Sequence, residues 1–168
     1  MRGRLTIELR DTAKTVLVRR QATNTVMQTG AELVAELFAG RGSPITHMAV
    51  GTSDSDPDLT TTTTLTNDDG SGAPALQGDT VAEIGADAFS FEIDDLKRLV
   101  RVRVRATLAD DAAVGRIREA GLIARPSGGG DDRLYNRVTF APLDKGADHE
   151  VTMFWEVEFP FGDLQWLS

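Results

Sequence analysis

Apolar and polar residues alternate at a period of two along most of this chain, a pattern typical of β-strands with one buried face. The alternation runs through residues 5–9 and returns around Val16 and Val18 after a polar stretch, which predicts an opening β-hairpin. The clearest strand has an apolar face of Val100, Val102, Val104, Ala106 and Leu108 and a polar face of Arg101, Arg103, Arg105 and Thr107. Further strands are predicted at residues 45–50, 80–86, 88–94, 115–124, 134–140 and 151–159.

One segment has helical spacing instead. Its apolar positions are Ala31, Leu33, Val34, Leu37 and Phe38. Thr29 and Glu32 have the spacing of a capping box, in which each side chain accepts an N–H bond at the start of a helix. Gly40 is placed to end the helix in a left-handed conformation. The sequence therefore predicts one short amphipathic helix near the N-terminus.

The succession of short strands, with turn residues between them and one early helix, predicts a mainly β fold, an antiparallel β-sandwich with the helix on one side or end. Residues 1–168 are expected to form a single domain. Residues 51–79, rich in Thr, Asp and Gly, are predicted to be a long surface loop that Leu59 and Leu65 pin to the body. Residues 160–168 form an aromatic C-terminal tail, which either docks on the core or inserts into a partner.

Composition narrows the possible functions. The 168 residues carry a formal charge of −8, which argues against nucleic-acid and anionic-membrane binding, because both require a cationic surface. The absence of cysteine excludes disulfides, thiolate zinc sites and cysteine nucleophiles. We expect no spanning helix and no secretion signal. Asp outnumbers Glu by 17 to 9, and Arg outnumbers Lys by 15 to 3. A GC-rich genome would explain the excess of Arg over Lys, whereas a salt-adapted surface would explain both ratios.

The candidate catalytic and metal-binding residues are few. Asp54, Asp56 and Asp58 have the opening spacing of an EF-hand calcium loop. Leu59 and Leu65, however, occupy the positions at which that loop needs Gly and Glu. A solvated acidic loop is therefore the favoured interpretation, and a weak cation site is the alternative. The two histidines lack partners at ligand or triad spacing. His47 is expected to be half-buried with its hydrogen bonds satisfied, and His149 to be solvated. We predict no catalytic residues, no metal and no cofactor.

Two features are candidate interfaces. The Arg101, Arg103 and Arg105 row is expected to pair with Glu156 and Glu158, or Glu92, on neighbouring strands. The alternatives are that the row contacts an acidic partner subunit or, as the least favoured interpretation, nucleic acid. The aromatic tail supplies three further interface candidates, which are Phe161, Trp166 and Leu167.

Four segments carry a family resemblance. They are ITHMAVGT at 45–52, IREAGL at 117–122, RVTFAPLDK at 137–145 and VTMFWEVEF at 151–159. Together they resemble small structural proteins of tailed viruses and related contractile injection particles, of the kind found in tails, baseplates and fibres. The resemblance covers about residues 24–159 and departs at the Thr/Asp insertion and the C-terminal tail. It implies a particle component present in several copies and without chemistry of its own.

The same segments also have a physical interpretation. Gly51 and Gly121 are expected to adopt backbone angles closed to other residues, and Pro142 to end a strand. Glu119 is expected to accept hydrogen bonds from turn amides. Two aromatic side chains, Trp155 and Phe159, are expected to fill the core.

The leading hypothesis is a non-enzymatic structural component of a bacteriophage or archaeal tailed-virus particle, in the tail, baseplate or fibre-attachment region. It would act as a homo-oligomer docked to other virion proteins, located in the virion after assembly in the host cytoplasm. One alternative is a capsid decoration or turret protein. Another is a host receptor- or carbohydrate-binding module, which the absence of aromatic residues from the 51–79 loop disfavours.

Overall fold

β-strands dominate the structure. The computed structural model describes residues 2–56, 58–67 and 74–162. The strands are β1 (Arg2–Arg10), β2 (Val16–Val26), β3 (His47–Gly51), β4 (Val81–Glu83), β5 (Phe89–Asp94), β6 (Leu99–Leu108), β7 (Gly115–Ala124), β8 (Arg133–Leu134), β9 (Asn136–Lys145) and β10 (Glu150–Pro160). One helix, α1, spans Gln28–Phe38, and a 3₁₀ turn covers Ala86–Ala88. With 51% of residues in strands and 9% in helices, the mainly β prediction is confirmed.

The strands form one continuous antiparallel sheet in the order β4-β3-β7-β9-β2-β1-β10-β6-β5, with β8 paired to β7. The sheet curls into a half-barrel, so the two separate sheets of the predicted sandwich are not confirmed. The reason lies in β2, which pairs along most of its length with β1 and through Thr25 and Val26 with β9. β2 thereby joins the strands β4, β3, β7 and β9 to the strands β1, β10, β6 and β5 in one sheet.

The two edge strands of this sheet are neighbours in the chain. Residues 80–94 form two short strands that flank a turn, as the sequence predicted. β4 pairs with β3, however, whereas β5 pairs with β6 at the opposite edge. Residues 84–88 therefore carry the chain from one edge of the curled sheet to the other.

The core lies inside the curl. Both ends of the sheet contribute to one apolar cluster, because it includes Val104 on β6 and Ile117 on β7. Trp155 is 1% exposed at its centre, as predicted, whereas Phe159 packs at the margin and is only partly buried. The periodicity of β1, β6 and β10 identified the inward-facing residues correctly, since Leu5, Val104 and Trp155 are all buried.

The start of α1 differs from the prediction. Its first residue is Gln28, and no side chain caps it, so the proposed Thr29–Glu32 capping box is wrong. Thr29 already lies inside the helix, and its hydroxyl donates instead to the Leu134 carbonyl at 2.6 Å. Gly30 faces the same strand region so closely that a Cβ there would stand 1.9 Å from the Tyr135 carbonyl oxygen. Contact with the sheet, and not a local cap, fixes this end of the helix.

The other end follows the prediction. Gly40 has a φ of +67°, and its amide donates to the Leu37 carbonyl at 3.0 Å. The next amide, from Arg41, donates to the Glu36 carbonyl at 3.0 Å. These two bonds are the Schellman arrangement, which satisfies carbonyls at a helix end and favours glycine at this position.

Two other predicted backbone roles are corrected. Gly51 and Gly121 do not have positive φ angles. They are needed for space, because a Cβ would lie 2.2 Å from Glu119 Oε1 at the first and 2.5 Å from the Asn136 carbonyl oxygen at the second. Pro142 does not end a strand but lies within β9, where the register against β7 shifts and no regular ladder bond is required.

Candidate interaction surfaces

The outer face of β5, β6 and β10 carries a network of opposite charges, here called the charged face and formed by Arg101, Arg103, Glu92, Glu156 and Glu158. The strand register creates it, because Arg101 lies directly opposite both Glu92 and Glu158, and Arg103 lies opposite Glu156. Directly opposed residues project from the same side of a sheet within reach of each other. The pairing expected from the sequence is present.

Arg101 is the centre of the charged face. Its side chain is 11% exposed and its nitrogens lie 3.2 Å from Glu158, 3.3 Å from Glu156 and 3.4 Å from Glu92. The hydrogen bond that it donates to Glu158 is the largest cause of a raised Arg101 pKa. Arg103 contacts Glu92 at 3.0 Å and Glu156 at 3.1 Å. These two arginines are therefore held by carboxylates of their own chain.

Arg105, the third member of the row, is held differently. In the part of the chain that the structure describes it forms no ion pair, and its guanidinium lies 6.0 Å from the centre of the Phe154 ring. Both side chains line a depression of about 350 Å³ on the outer face, with Arg4, Thr6 and Gln21 along β1 and β2. This depression combines cationic groups with an exposed aromatic edge.

A second charged cluster lies on β1 and β2. Glu8 is only 4% exposed and receives hydrogen bonds from Arg10 and from Arg19, whose Nε lies 2.9 Å away. Burial acts to raise the Glu8 pKa, but the hydrogen bonds and charges of the two arginines outweigh it, so the pKa is lowered. The outer face thus carries two ion-pair clusters, one on β5, β6 and β10 and one on β1 and β2.

A buried ion pair anchors the long loop. Glu119 on β7 is 0% exposed and Arg137 on β9 is 3% exposed, and the guanidinium Nε donates to Glu119 Oε2. Glu119 Oε1 accepts from the Thr66 amide at 2.7 Å, and Arg137 Nη1 donates to the Ser55 carbonyl at 2.8 Å. The pair therefore holds both arms of the loop, since Ser55 lies near its start and Thr66 beyond its middle.

The predicted surface loop at residues 51–79 is therefore packed more closely against the sheet than the sequence suggested. Thr52 and Ser53 are buried, and the Thr52 amide donates to the Thr66 carbonyl at 2.8 Å. Leu65 packs against a small apolar cluster, as predicted. Leu59 does not pin the loop with its side chain, which is 52% exposed, but its carbonyl accepts from the Gln28 amide at 2.9 Å. The sequence indicated that Glu119 accepts turn amides; it did not indicate Arg137 as its partner.

The acidic triplet in this loop does not converge. Asp54 pairs with Arg118 at 3.0 Å, while Asp58 accepts hydrogen bonds from the amides of Thr60 and Thr61 and the Thr60 hydroxyl. The Thr60 side-chain bond leads the interactions that lower the Asp58 pKa to about 2. Among residues 2–56, 58–67 and 74–162, no group of three or more His, Cys, Asp or Glu side chains is arranged to hold a metal ion. Asp58 caps a local turn.

Both histidines are occupied locally. His47 is half-buried on β3, with its Nδ1 at 2.8 Å from the Thr46 hydroxyl, which agrees with the prediction. His149 is half-buried rather than fully solvated, and its Nδ1 accepts from the Gly146 amide at 3.1 Å. Each ring therefore stabilises its own segment.

A group of exposed apolar side chains lies on edge strand β5 and the turn after it, here called the apolar margin and formed by Phe91, Ile93 and Leu96. These side chains are 72%, 67% and 99% exposed. Phe91 and Ile93 project from the core side of the sheet, opposite Val102 and Val100 of β6, but lie beyond the area that the curled sheet covers. The alternation in β5 predicted this strand, yet not its position at a sheet edge.

The predicted interface residues thus lie in different environments. Arg101 and Arg103 are engaged in the charged face and Arg105 lines the depression. Phe161 is 40% exposed, and its amide donates to the Arg98 carbonyl at 2.9 Å, which places it beside the β5–β6 turn. Trp166 and Leu167 lie outside the described residues.

Comparisons with known proteins do not assign this chain to a family. No protein-family model, no curated protein and no solved structure matches the chain. Within the described ranges, no helix is long and apolar enough to cross a membrane.

Proposed function

We propose that this chain is a non-enzymatic structural component of a tailed-virus particle, in the tail, baseplate or fibre-attachment region, which works by self-association and by docking to neighbouring subunits. The observation that carries the assembly role is the apolar margin. The assignment to a tailed-virus particle rests on the sequence resemblance of residues 24–159. A capsid decoration or turret position is the closest structural alternative.

The apolar margin supports an assembly role because large apolar side chains grouped on an exposed sheet edge are characteristic of contact surfaces. Phe91 and Ile93 each leave about two thirds or more of their surface in solvent. Phe161, which follows β10, lies beside the β5–β6 turn, because its amide donates to the Arg98 carbonyl. The described start of the C-terminal tail therefore lies at the same end of the sheet as this turn. A neighbouring subunit that covers this region would remove apolar surface from water.

The charged face supports the same role in a different way. Because Arg101 and Arg103 are neutralised by carboxylates of their own chain, they stiffen the sheet and leave little unpaired charge there. We therefore propose that Arg101 and Arg103 stabilise the sheet, and that Arg105 is the arginine of this row that contacts a partner.

The test is the location of the protein. Particles purified from the virus or provirus that encodes this chain are expected to contain it in a fixed ratio to the other particle proteins, measured by quantitative mass spectrometry, and imaging is expected to place it in the tail region. A version that lacks residues 163–168 is expected to fold but to be lost from particles. Absence of the full chain from purified particles, while it accumulates in the lysate, would refute the proposal.

A second candidate function rests on the depression beside Phe154. An exposed aromatic edge flanked by Arg4 and Arg105 suits an acidic glycan, since sugars stack on aromatic rings and carboxylates pair with arginine. This supports the receptor-binding alternative at a site other than the Thr-rich loop. A glycan array with the intact protein tests it: binding of acidic glycans that Phe154→Ala and Arg105→Gln abolish would favour it, and no binding would exclude it for the glycans tested.

A further inference from the structure

We propose that β5 pairs edge to edge with β5 of a second copy of this chain, forming an antiparallel dimer about a two-fold axis centred on Phe91. This deepens, and rests on, the self-association in the proposed function. It adds the partner, the symmetry and the register of the contact.

The free edge of β5 carries the proposal. β5 pairs with β6 on one side, and none of the described residues pairs with its other side. The unpaired edge of a strand presents backbone donors and acceptors that a second strand can satisfy. On β5 these groups stand beside Phe91 and Ile93, so one partner strand satisfies the backbone and covers apolar surface at the same time.

Two other open edges of the described structure are less suited to a partner strand. β2 leaves its edge unpaired from residue 16 to residue 24 in the described structure, but that stretch carries Arg19, Arg20, Gln21 and Thr23. Charged and polar side chains on an edge discourage pairing with another strand. β4, at the far end of the sheet, is only three residues long. β5 has six residues and an apolar face, which makes it better suited to a partner than either of these edges.

The sequence of β5 selects the register. A two-fold axis perpendicular to the sheet keeps each residue on the same face in both copies, so the axis must pass beside a residue that faces itself. Centred on Phe91, the pairing sets Phe91 against Phe91, Phe89 against Ile93 and Ser90 against Glu92. Apolar side chains then meet on one face, and each Glu92 carboxylate meets a Ser90 hydroxyl on the other.

The other centres fit less well. An axis at Glu92, Ile93 or Asp94 places acidic side chains directly opposite one another, which is unfavourable. An axis at Phe89 or Ser90 leaves Ile93 without a partner. The alternation of apolar and acidic residues in β5 is therefore self-complementary in one register.

The contact is small, so the dimer is expected to be weak in solution and to gain strength in a particle, where several contacts act together. This makes the dimer detectable by analytical ultracentrifugation as a rise in mean mass with protein concentration. Phe91→Lys places two like charges opposite each other and is expected to keep the protein monomeric at every concentration. Phe38→Lys is the matched control, because Phe38 is 89% exposed at the end of α1 and lies outside β5. It is expected to dimerise as the unaltered chain does.

Cysteine cross-linking tests the register, since the chain contains no cysteine of its own. A mixture of the single variants Ser90→Cys and Glu92→Cys is expected to form a mixed disulfide dimer on mild oxidation, and either variant alone to form much less. Self-cross-linking of Glu92→Cys in preference to the mixed pair would overturn the register. Equal mean mass for the unaltered chain and Phe91→Lys across the concentration range would overturn the dimer.

The alternative occupant of the β5 edge is the C-terminal tail of the same chain. If residues 163–168 cover β5, the full chain is expected to be monomeric and its truncation at Gly162 to dimerise through Phe91, and this outcome would also overturn the proposal. Circular dichroism and thermal unfolding confirm that each variant is folded. Particle content separates the two levels: a protein present in particles without β5 pairing refutes only the dimer, whereas its absence from particles refutes the proposed function.

Discussion

Removing the charge of Glu119 is predicted to destabilise the fold and release the long loop. In Glu119→Gln the side chain keeps its size, but the Arg137 guanidinium, 3% exposed, is left without a compensating charge. Breaking a buried ion pair by neutralising one partner costs about 3–5 kcal/mol of unfolding free energy. We expect the lower end, about 3 kcal/mol, because the Ser55 carbonyl and the amide oxygen of the substituted side chain remain as acceptors for the guanidinium.

The matched control lies on the same two strands. Arg116 on β7 pairs with Asp144 on β9 at 2.8 Å, with both side chains more than half exposed. Asp144→Asn makes the same carboxylate-to-amide change where water screens the charges, so its effect on stability is expected to fall within measurement error. Burial, and not the pairing itself, is thus what the comparison measures.

Urea unfolding followed by tryptophan fluorescence gives the free energies, because Trp155 is buried in the folded state. Adding Arg137→Met to Glu119→Gln is expected to recover part of the loss, with a coupling energy of about 1–3 kcal/mol, since no uncompensated charge then remains buried. Amide exchange at Thr66 is expected to accelerate in Glu119→Gln and not in Asp144→Asn. Equal stability of Glu119→Gln and Asp144→Asn would refute the reasoning.

Two further predictions concern local packing and titration. Gly30→Ala is expected to lower the free energy of unfolding by about 1–3 kcal/mol, although alanine ordinarily favours a helix, because the new Cβ would meet the Tyr135 carbonyl. The control is Ala31→Gly at an exposed helix position, with an expected loss of about 1 kcal/mol. A gain in stability for Gly30→Ala would contradict the close approach. The pKa of Asp58, about 2, predicts that its bonds to Thr60 and Thr61 are complete above about pH 4 and are lost as the pH falls through about 2. In NMR titrations the two amide shifts should follow that midpoint and lose it in Asp58→Ala, and a midpoint near the ordinary aspartate value of about 4 would count against the turn.

The candidate surfaces were partly predictable. Alternation in β6 indicated the arginine row, and the glutamates of β10 and β5 indicated its partners, because each strand pattern is local and opposite charges favour facing positions. The pairing of Glu119 with Arg137 was not predictable from spacing, since the residue directly opposite Glu119 is Thr139 and Arg137 reaches it diagonally from two residues away. The exposure of Phe91 and Ile93 was missed for a similar reason, because an apolar strand face looks the same in sequence at a covered position and at an open edge.

The sequence by itself determined which segments become strands, which face of each strand is apolar, and that the helix ends just before Gly40. These properties depend on neighbours within a few residues. Only the tertiary structure decided that the strands form one curled sheet, that β4 and β5 occupy opposite edges, and that Thr29 contacts a strand carbonyl instead of capping a helix. Strand order and edge position arise from contacts between distant parts of the chain, and a period-two pattern carries no information about which strand lies alongside.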